Sequence, residues 1–189
     1  MNFTLLYRGE LPSRGSAREK HSIRQHFHVQ LRDLWTRPPL SGLPRLHDPA
    51  SEVGDLSLRR PFQGFEFLPL VAEQVGLVAE LDVLVLWPAP PGSIIVAGGD
   101  IENRLKTLLD ALKAPREPKD LTGIAGPPSG EPPFFCLFDD DKLVTRLNVE
   151  TDRLLEPGVP NSLAVVIVRV ETKQFRHDLR THPLTAGLA

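Results

Sequence analysis

Hydrophobic and polar residues alternate along the chain with the periods of regular secondary structure. Apolar positions from Ile23 to Leu34 recur at steps of four, four and three, which predicts an amphipathic helix over Ala17–Trp35. Residues 101–113 show similar spacing and predict a second helix, which Pro115 ends. Alternating or continuous runs rich in β-branched and aromatic residues predict five strands, over residues 3–7, 65–72, 77–86, 142–149 and 162–171.

The segments between these elements are rich in proline and glycine. Residues 40–64 and 114–133 are predicted to be loop insertions, and the polar tail from about residue 174 is predicted to fray. A turn at residues 74–76 is expected to join the second and third strands as a hairpin. The pattern therefore predicts an α+β fold, a single domain over residues 1–189 in which two helices pack on a mixed, mainly antiparallel sheet.

Composition narrows the class of protein. The 189 residues are 41% hydrophobic and 24% charged, close to globular averages, which excludes collagen, coiled coils and wholesale disorder. The single cysteine, Cys136, cannot form an internal disulfide, and its apolar neighbours predict a buried, inert thiol. Met1 is not followed by a leader pattern and the longest apolar run is far below the roughly 20 residues of a membrane span, so a cytoplasmic protein without membrane contact is expected.

Charge is unevenly distributed along the chain. The net charge is −2, yet residues 1–46 carry eight basic side chains against three acidic ones. Arg24 and Arg32 lie eight residues apart in the predicted first helix and are expected to share a face. This basic helix is the predicted contact surface for phosphates, whereas the rest of the chain is acidic.

Two acidic elements are candidates for chemistry. Asp100 and Glu102 lie at the start of the second helix, and residues 139–141 are an aspartate triplet at the end of an apolar run. A structural explanation is available for each: Asp100 caps the helix, Glu102 pairs with Lys106, and the triplet forms a solvated turn. The functional alternative is that clustered carboxylates repel one another until a hard ion such as Mg²⁺ binds them.

Other site patterns are missing from the sequence. It contains no zinc-ligand spacing, no P-loop, no GxGxxG and no GxSxG motif. A zinc site, a nucleotide cofactor and a serine hydrolase are therefore not expected.

Three segments together resemble the RusA-like Holliday-junction resolvases. Residues 99–106 (GDIENRLK), 109–112 (LDAL) and 140–144 (DDKLV) follow the order of that family's D-x-D-N-x-x-K, D-A-L and D-D-x-x-V pattern. The predicted first strand and helix and the predicted last strand also look like the family's. Glu102 occupies a position at which the family has aspartate, which keeps the charge and lengthens the arm by one methylene.

The resemblance implies a site. Asp100, Glu102 and Asp141 would bind Mg²⁺, or Mn²⁺ in its place, with Lys106 as the catalytic lysine and Asn103 supporting the site. The triplet permits a second alignment in which Asp140 is the ligand, and we favour Asp141 because it places Val144 on the family's apolar position. The metal would activate a water and neutralise developing charge, while Lys106 would meet a phosphate oxygen.

The function expected from these observations is a Mg²⁺-dependent endodeoxyribonuclease of branched DNA that takes part in DNA recombination and repair. Arg24 and Arg32 would contact the DNA, and paired nicks in a junction favour a homodimer with two-fold symmetry. Two alternatives stay open: a catalytically silent module that binds nucleic acid or protein, and a nuclease that acts on RNA or flap substrates.

Overall fold

The computed structural model describes residues 1–47, 57–88, 101–127 and 133–175, and Asp100 lies outside these ranges. The described part is an α+β fold with two helices and two mixed sheets. This confirms the fold class predicted from the sequence. The helices are α1 (Ala17–Trp35) and α2 (Ile101–Leu112). The strands are β1 (Asn2–Glu10), β2 (Arg60–Phe62), β3 (Phe65–Val71), β4 (Leu77–Trp87), β5 (Phe134–Phe138), β6 (Val144–Arg153) and β7 (Leu163–Gln174).

Helix α1 begins and ends where the periodicity predicted. Ser16 is its N-cap: its hydroxyl accepts the Glu19 N–H, and the Glu19 carboxylate accepts the Ser16 N–H in return. Its buried face carries the predicted apolar residues Ile23, Phe27 and Leu31. The first helix is therefore fixed by a local cap and a stripe that packs into the core.

The larger sheet has four strands in the order β1, β7, β4, β6. β7 is antiparallel to both of its neighbours, whereas β4 and β6 are parallel. In β4 the side chains at alternate positions from Leu77 to Val85 are buried, which is the period of a strand with one face on the core. β7 follows the same rule, with every second residue from Ala164 to Val170 buried.

The predicted hairpin between the second and third strands is wrong. β3 and β4 lie in different sheets, because a turn at Glu73–Val75 and a left-handed Gly76 redirect the chain between them. β3 joins β2 and the apolar run β5 in a three-stranded sheet, which also corrects the expectation of one sheet. Nearly every β3 side chain is buried, and burial on both faces suits a strand beside a parallel neighbour.

β4, α2 and β6 form a crossover unit between parallel strands. Arg104, in the first turns of α2, lies over the ring of Trp87, the last residue of β4, at 4.7 Å. At the other end of the helix, Lys113 bridges to Phe138, and β6 begins soon afterwards beside Ala79. α2 therefore runs back along the sheet, from the end of β4 to its beginning.

Both predicted insertions pack side chains into the core and do not lie wholly on the surface. Leu40 and Leu46 lie in short 3₁₀ turns, and these residues are buried together with Leu58. In the second insertion, Leu121 is buried in a smaller aromatic cluster with Phe67 and Phe134. Leucines spaced through an irregular segment thus fix it to the core. Residues 48–56, 128–132 and the predicted tail beyond Phe175 lie outside the described ranges.

Of the two described helices, neither is both long enough and apolar enough to cross a bilayer.

Candidate functional site

The first half of α2 presents three of the predicted site residues. Glu102 and Lys106 are exposed, and Asn103 is partly buried. They lie beside the buried face of the helix, which Leu108, Ala111 and Leu112 form. One helical turn separates Glu102 from Lys106, so an acidic and a basic side chain share one flank. The position of Asp100 is not part of the described structure.

The aspartate triplet follows β5 and is neutralised by basic side chains. Asp139 is mostly buried and pairs with Arg116 at 2.8 Å and Arg60 at 3.6 Å. Arg116 also bonds Asp140 at 2.8 Å. The repulsion within the triplet, for which the sequence suggested a metal ion, is thus offset in the structure by Arg116, which the insertion before β5 brings to it.

Asp140 combines a structural bond with its ion pair. Its side chain accepts the Lys142 N–H at 3.0 Å and caps the turn Asp141–Leu143. Burial acts to raise the pKa of Asp140, but the Lys142 N–H, the Asp141 side chain and the Arg116 charge together hold it below its ordinary value. Asp140 is therefore an ionised cap, and the more exposed Asp141 is the freer carboxylate of the two.

Asp141 belongs to a chain of alternating charges at the end of α2. Lys113 Nζ lies 3.3 Å from Asp141 and 3.7 Å from Asp110, and Lys20 Nζ lies 2.7 Å from Asp110. The Asp141 side chain is 51% exposed, so solvent screens its pair with Lys113 and the pair contributes little stability. Asp141 is thus accessible to a ligand that can displace Lys113.

Glu102 and Asp141 lie at opposite ends of the crossover unit. Lys113, the partner of Asp141, lies eleven positions after Glu102, which is about 16 Å along a helix axis. Ligands of one Mg²⁺ must all lie within about 2.1 Å of it. The described structure does not bring Glu102 next to Asp141 within one chain, and their convergence on one ion stays a prediction. Across the described ranges, no group of three His, Cys, Asp or Glu side chains could hold a metal.

The structure also corrects the placement of Arg24 on an exposed face. Arg24 is 3% exposed, and its guanidinium donates to the backbone carbonyls of Asp110 and Lys113, at 2.9 and 3.2 Å. These carbonyls lie at the C-terminal end of α2, where helices leave acceptors without intrahelical partners. Arg24 therefore joins α1 to α2 and does not reach a phosphate. Arg32, eight residues on, is exposed.

The positive surface is smaller than the sequence count suggested. Of the eight basic residues before position 47, Arg24 is buried, and Arg8, Lys20 and Arg37 pair with Glu156, Asp110 and Asp33 respectively. Partners distant in sequence, such as Glu156, cannot be inferred from local charge. Among the basic residues whose exposure the structure describes, Arg14, Arg18 and Arg32 are exposed, and they stay candidates for phosphate contact.

Replacing Arg24 with alanine should destabilise the fold rather than weaken DNA binding alone. The change leaves two buried carbonyls without donors and opens a cavity, which should lower the free energy of unfolding by about 2–4 kcal/mol. Urea denaturation followed by circular dichroism measures this. Arg32→Ala is the matched control and should stay within about 0.5 kcal/mol of wild type. Equal stability of Arg24→Ala and wild type would contradict the assigned role.

Two histidines on α1 are buried, which was not predicted from the sequence. His21 is 7% exposed, with its Nδ1 3.4 Å from an Arg24 nitrogen. His28 is 2% exposed and its Nδ1 accepts the Phe135 N–H at 2.9 Å. Their positions at a step of seven, beside the apolar stripe, are the signal that could have predicted their burial.

Acidification should destabilise the protein through His21. Burial, helped by the charge of Arg24, lowers the pKa of His21 to about 4. Between pH 6.5 and 4 the unfolded chain binds a proton that the folded chain does not, so stability falls as pH falls through this window. The contribution is about 2 kcal/mol after allowance for partial solvation. The melting temperature should differ less between pH 7 and pH 4.5 for His21→Gln than for wild type. His26 is exposed, and His26→Gln should show the same difference in melting temperature as wild type.

Cys136 is buried, as its apolar neighbours predicted. Burial raises the pKa of its thiol to about 12. A protonated, inaccessible thiol is a poor nucleophile, so the residue is part of the core.

No family model, curated protein or solved structure matches the chain.

Proposed function

We propose that the protein is a divalent-metal-dependent endonuclease that acts on branched DNA as a homodimer. The proposal is supported by the three sequence segments that resemble the RusA-like resolvases, by the α+β fold, and by the exposure of Glu102, Lys106 and Asp141. The observation that carries it is the crossover unit, which presents one acidic motif at each end of α2.

Two copies related by a two-fold axis would unite these motifs. If the axis passes across the middle of α2, the Glu102 end of one helix faces the Asp141 end of the other, and the reverse pair forms at the same time. Two equivalent sites result, separated by a distance comparable to the length of α2. A dimer with two sites matches the chemistry of a four-way junction, in which two strands must be cut.

The donor set of such a site suits Mg²⁺. Carboxylate oxygens on exposed side chains are the ligands that this ion takes, usually one or two per site with waters completing the shell. Glu102 of one copy and Asp141 of the other would hold the ion, together with Asp100. When bound, Mg²⁺ supplies a Lewis acid for the phosphodiester and an activated water. The Asp141–Lys113 pair would have to open for this to happen.

The chain's own residues account for the remaining roles. Lys106 Nζ, one turn from Glu102, would donate to a phosphate oxygen on which charge develops. Lys113, released from Asp141, would keep a positive charge close to the same phosphate. The exposed Arg32 would add a contact to the DNA backbone away from the acidic centre.

The test is nicking of an immobile four-way junction with Mg²⁺ and with EDTA. Wild type should nick only with Mg²⁺, and Asp141→Asn should lose nicking while its circular dichroism spectrum and melting temperature stay close to wild type. Asp33→Asn is the matched control, because Asp33 is also exposed and paired with one cation, Arg37. Metal-dependent nicking that persists in Asp141→Asn would contradict the proposal. Flap DNA and RNA substrates in the same assay define the substrate class.

A second candidate is a module that binds branched DNA without cutting it. The ion pairs of the aspartate triplet favour it, since Arg60, Lys113 and Arg116 neutralise all three carboxylates without a metal. This candidate predicts junction binding that is the same with Mg²⁺ and EDTA, and no nicking under either condition. Gel-shift and nicking assays on one preparation separate the two candidates.

A further inference from the structure

A cavity of about 500 Å³ opens beside α1. It lies between α1, strands β3 and β5, and the segment 123–126 that follows the Pro118–Leu121 turn. Phe65, Phe134, His21 and His28 form an aromatic floor, and the His28 and Phe134 rings are stacked at 4.3 Å. The volume is within the range of small-ligand sites, about 300–1,000 Å³.

The described lining of this cavity carries positive charge and no negative charge. None of the described lining residues is acidic, although the chain has 24 acidic residues against 22 basic ones. Among the described lining residues Arg18 is the cation, and its Nε donates to the Gly123 carbonyl at 3.2 Å, which holds the guanidinium at the rim. A cationic ligand finds no counter-charge in the described part of this lining. A flat neutral group that carries a negative charge at one end fits both the floor and the rim.

The floor also offers directed hydrogen bonding. Arginine only donates, so the 3.4 Å contact makes His21 Nδ1 the acceptor and places the proton of the neutral ring on Nε2. Among the described residues none accepts a hydrogen bond from that N–H, and His21 is more than nine-tenths buried. Gln25 adds an exposed amide that can both donate and accept. A ligand ring with acceptors on its edge is therefore favoured over a plain hydrocarbon.

We propose that this cavity binds an unpaired nucleobase of a DNA strand, with the adjacent phosphate on Arg18. The base would lie against the aromatic floor and Val29, a sequence-tolerant contact because every base has a flat face. Its polar edge would meet the His21 N–H and the Gln25 amide. The inference rests on the proposed function in one respect, since a branched DNA is the source of unpaired bases.

The test compares the affinity for a strand with bases and for one without them. A short oligothymidylate and an abasic oligodeoxyribose of equal length carry the same phosphates, and fluorescence anisotropy in EDTA measures binding without cleavage. Wild type should bind the oligothymidylate about tenfold more tightly. Val29→Trp should abolish that preference by filling the mouth of the cavity. Leu6→Trp is the matched control, since Val29 and Leu6 are 53% and 52% exposed, and should keep the preference.

Arg18→Ala should weaken binding of both strands and reduce the slope of log affinity against log salt by about 0.7, the value for one lost phosphate contact on a single strand. Equal affinity of wild type for the two strands, or a preference that survives in Val29→Trp, would overturn the proposal. Neither of these binding results would bear on whether the protein nicks a junction. Conversely, a base preference without any nicking would retain the cavity's role and refute the nuclease.

Discussion

A mixture of Glu102→Gln and Asp141→Asn chains is expected to nick a four-way junction, although neither variant does so alone. In a site built from two copies, the mixed dimer has one site with both substitutions and one with neither. An equal mixture that exchanges subunits freely contains about one half mixed dimers, each with one intact site, so nicking should recover to about a quarter of the wild-type rate. The variants are mixed, incubated to allow exchange, and assayed with Mg²⁺.

The same experiment distinguishes a site shared by two copies from a site contained within one chain. In that case every site of the mixed dimer carries one substitution, and the mixture stays as inactive as its components. A chain with both substitutions, mixed with either single variant, is the control that should show no recovery in any arrangement. Activity at the level of the double-variant control would contradict the two-copy site.

Lys106→Ala should lower the single-turnover nicking rate by a factor on the order of 10²–10³, while junction affinity changes little. The reason is that a donor to charge developing in the transition state contributes to the rate more than to ground-state binding. Rapid-quench measurement with enzyme in excess gives the rate, and a gel-shift series at several salt concentrations gives the affinity.

The control for this prediction is Lys119→Ala, which removes a lysine whose side chain is 75% exposed and paired with Glu117. Its rate should equal that of wild type. If Lys106 only forms part of a solvated flank, its removal costs a few tenths of a kcal/mol of stability and no rate. Equal rates for Lys106→Ala and wild type would remove Lys106 from the site.

Local signals were sufficient for the helices. The bounds of α1 follow from the stripe beginning at Ile23 and the cap at Ser16, and those of α2 from its leucine spacing. In both, the information lies within a few residues, where period and capping act. The apolar patterns of β4 and β7 were equally local, and both strands lie close to their predicted bounds.

The local sequence of each strand did not indicate which other strands it pairs with. β3 and β4 are neighbours in sequence with a turn between them, yet they pair in different sheets, and β3 takes β5, which begins more than sixty residues later. An apolar run such as β5 fits several sheets equally well. Which one it joins depends on the core that the whole chain encloses, so the division into two sheets could not be predicted from periodicity.

The sequence by itself determined the kind of chemistry available: two acidic motifs, a lysine one turn from Glu102, a basic first helix and a buried thiol. The tertiary structure decided how these groups are used. It buries Arg24 under the end of α2, pairs the triplet with Arg60 and Arg116, and places Glu102 at the opposite end of α2 from Lys113, the partner of Asp141. The physical reason is that a crossover between parallel strands must return to the opposite end of the sheet, which motif order in the sequence does not show.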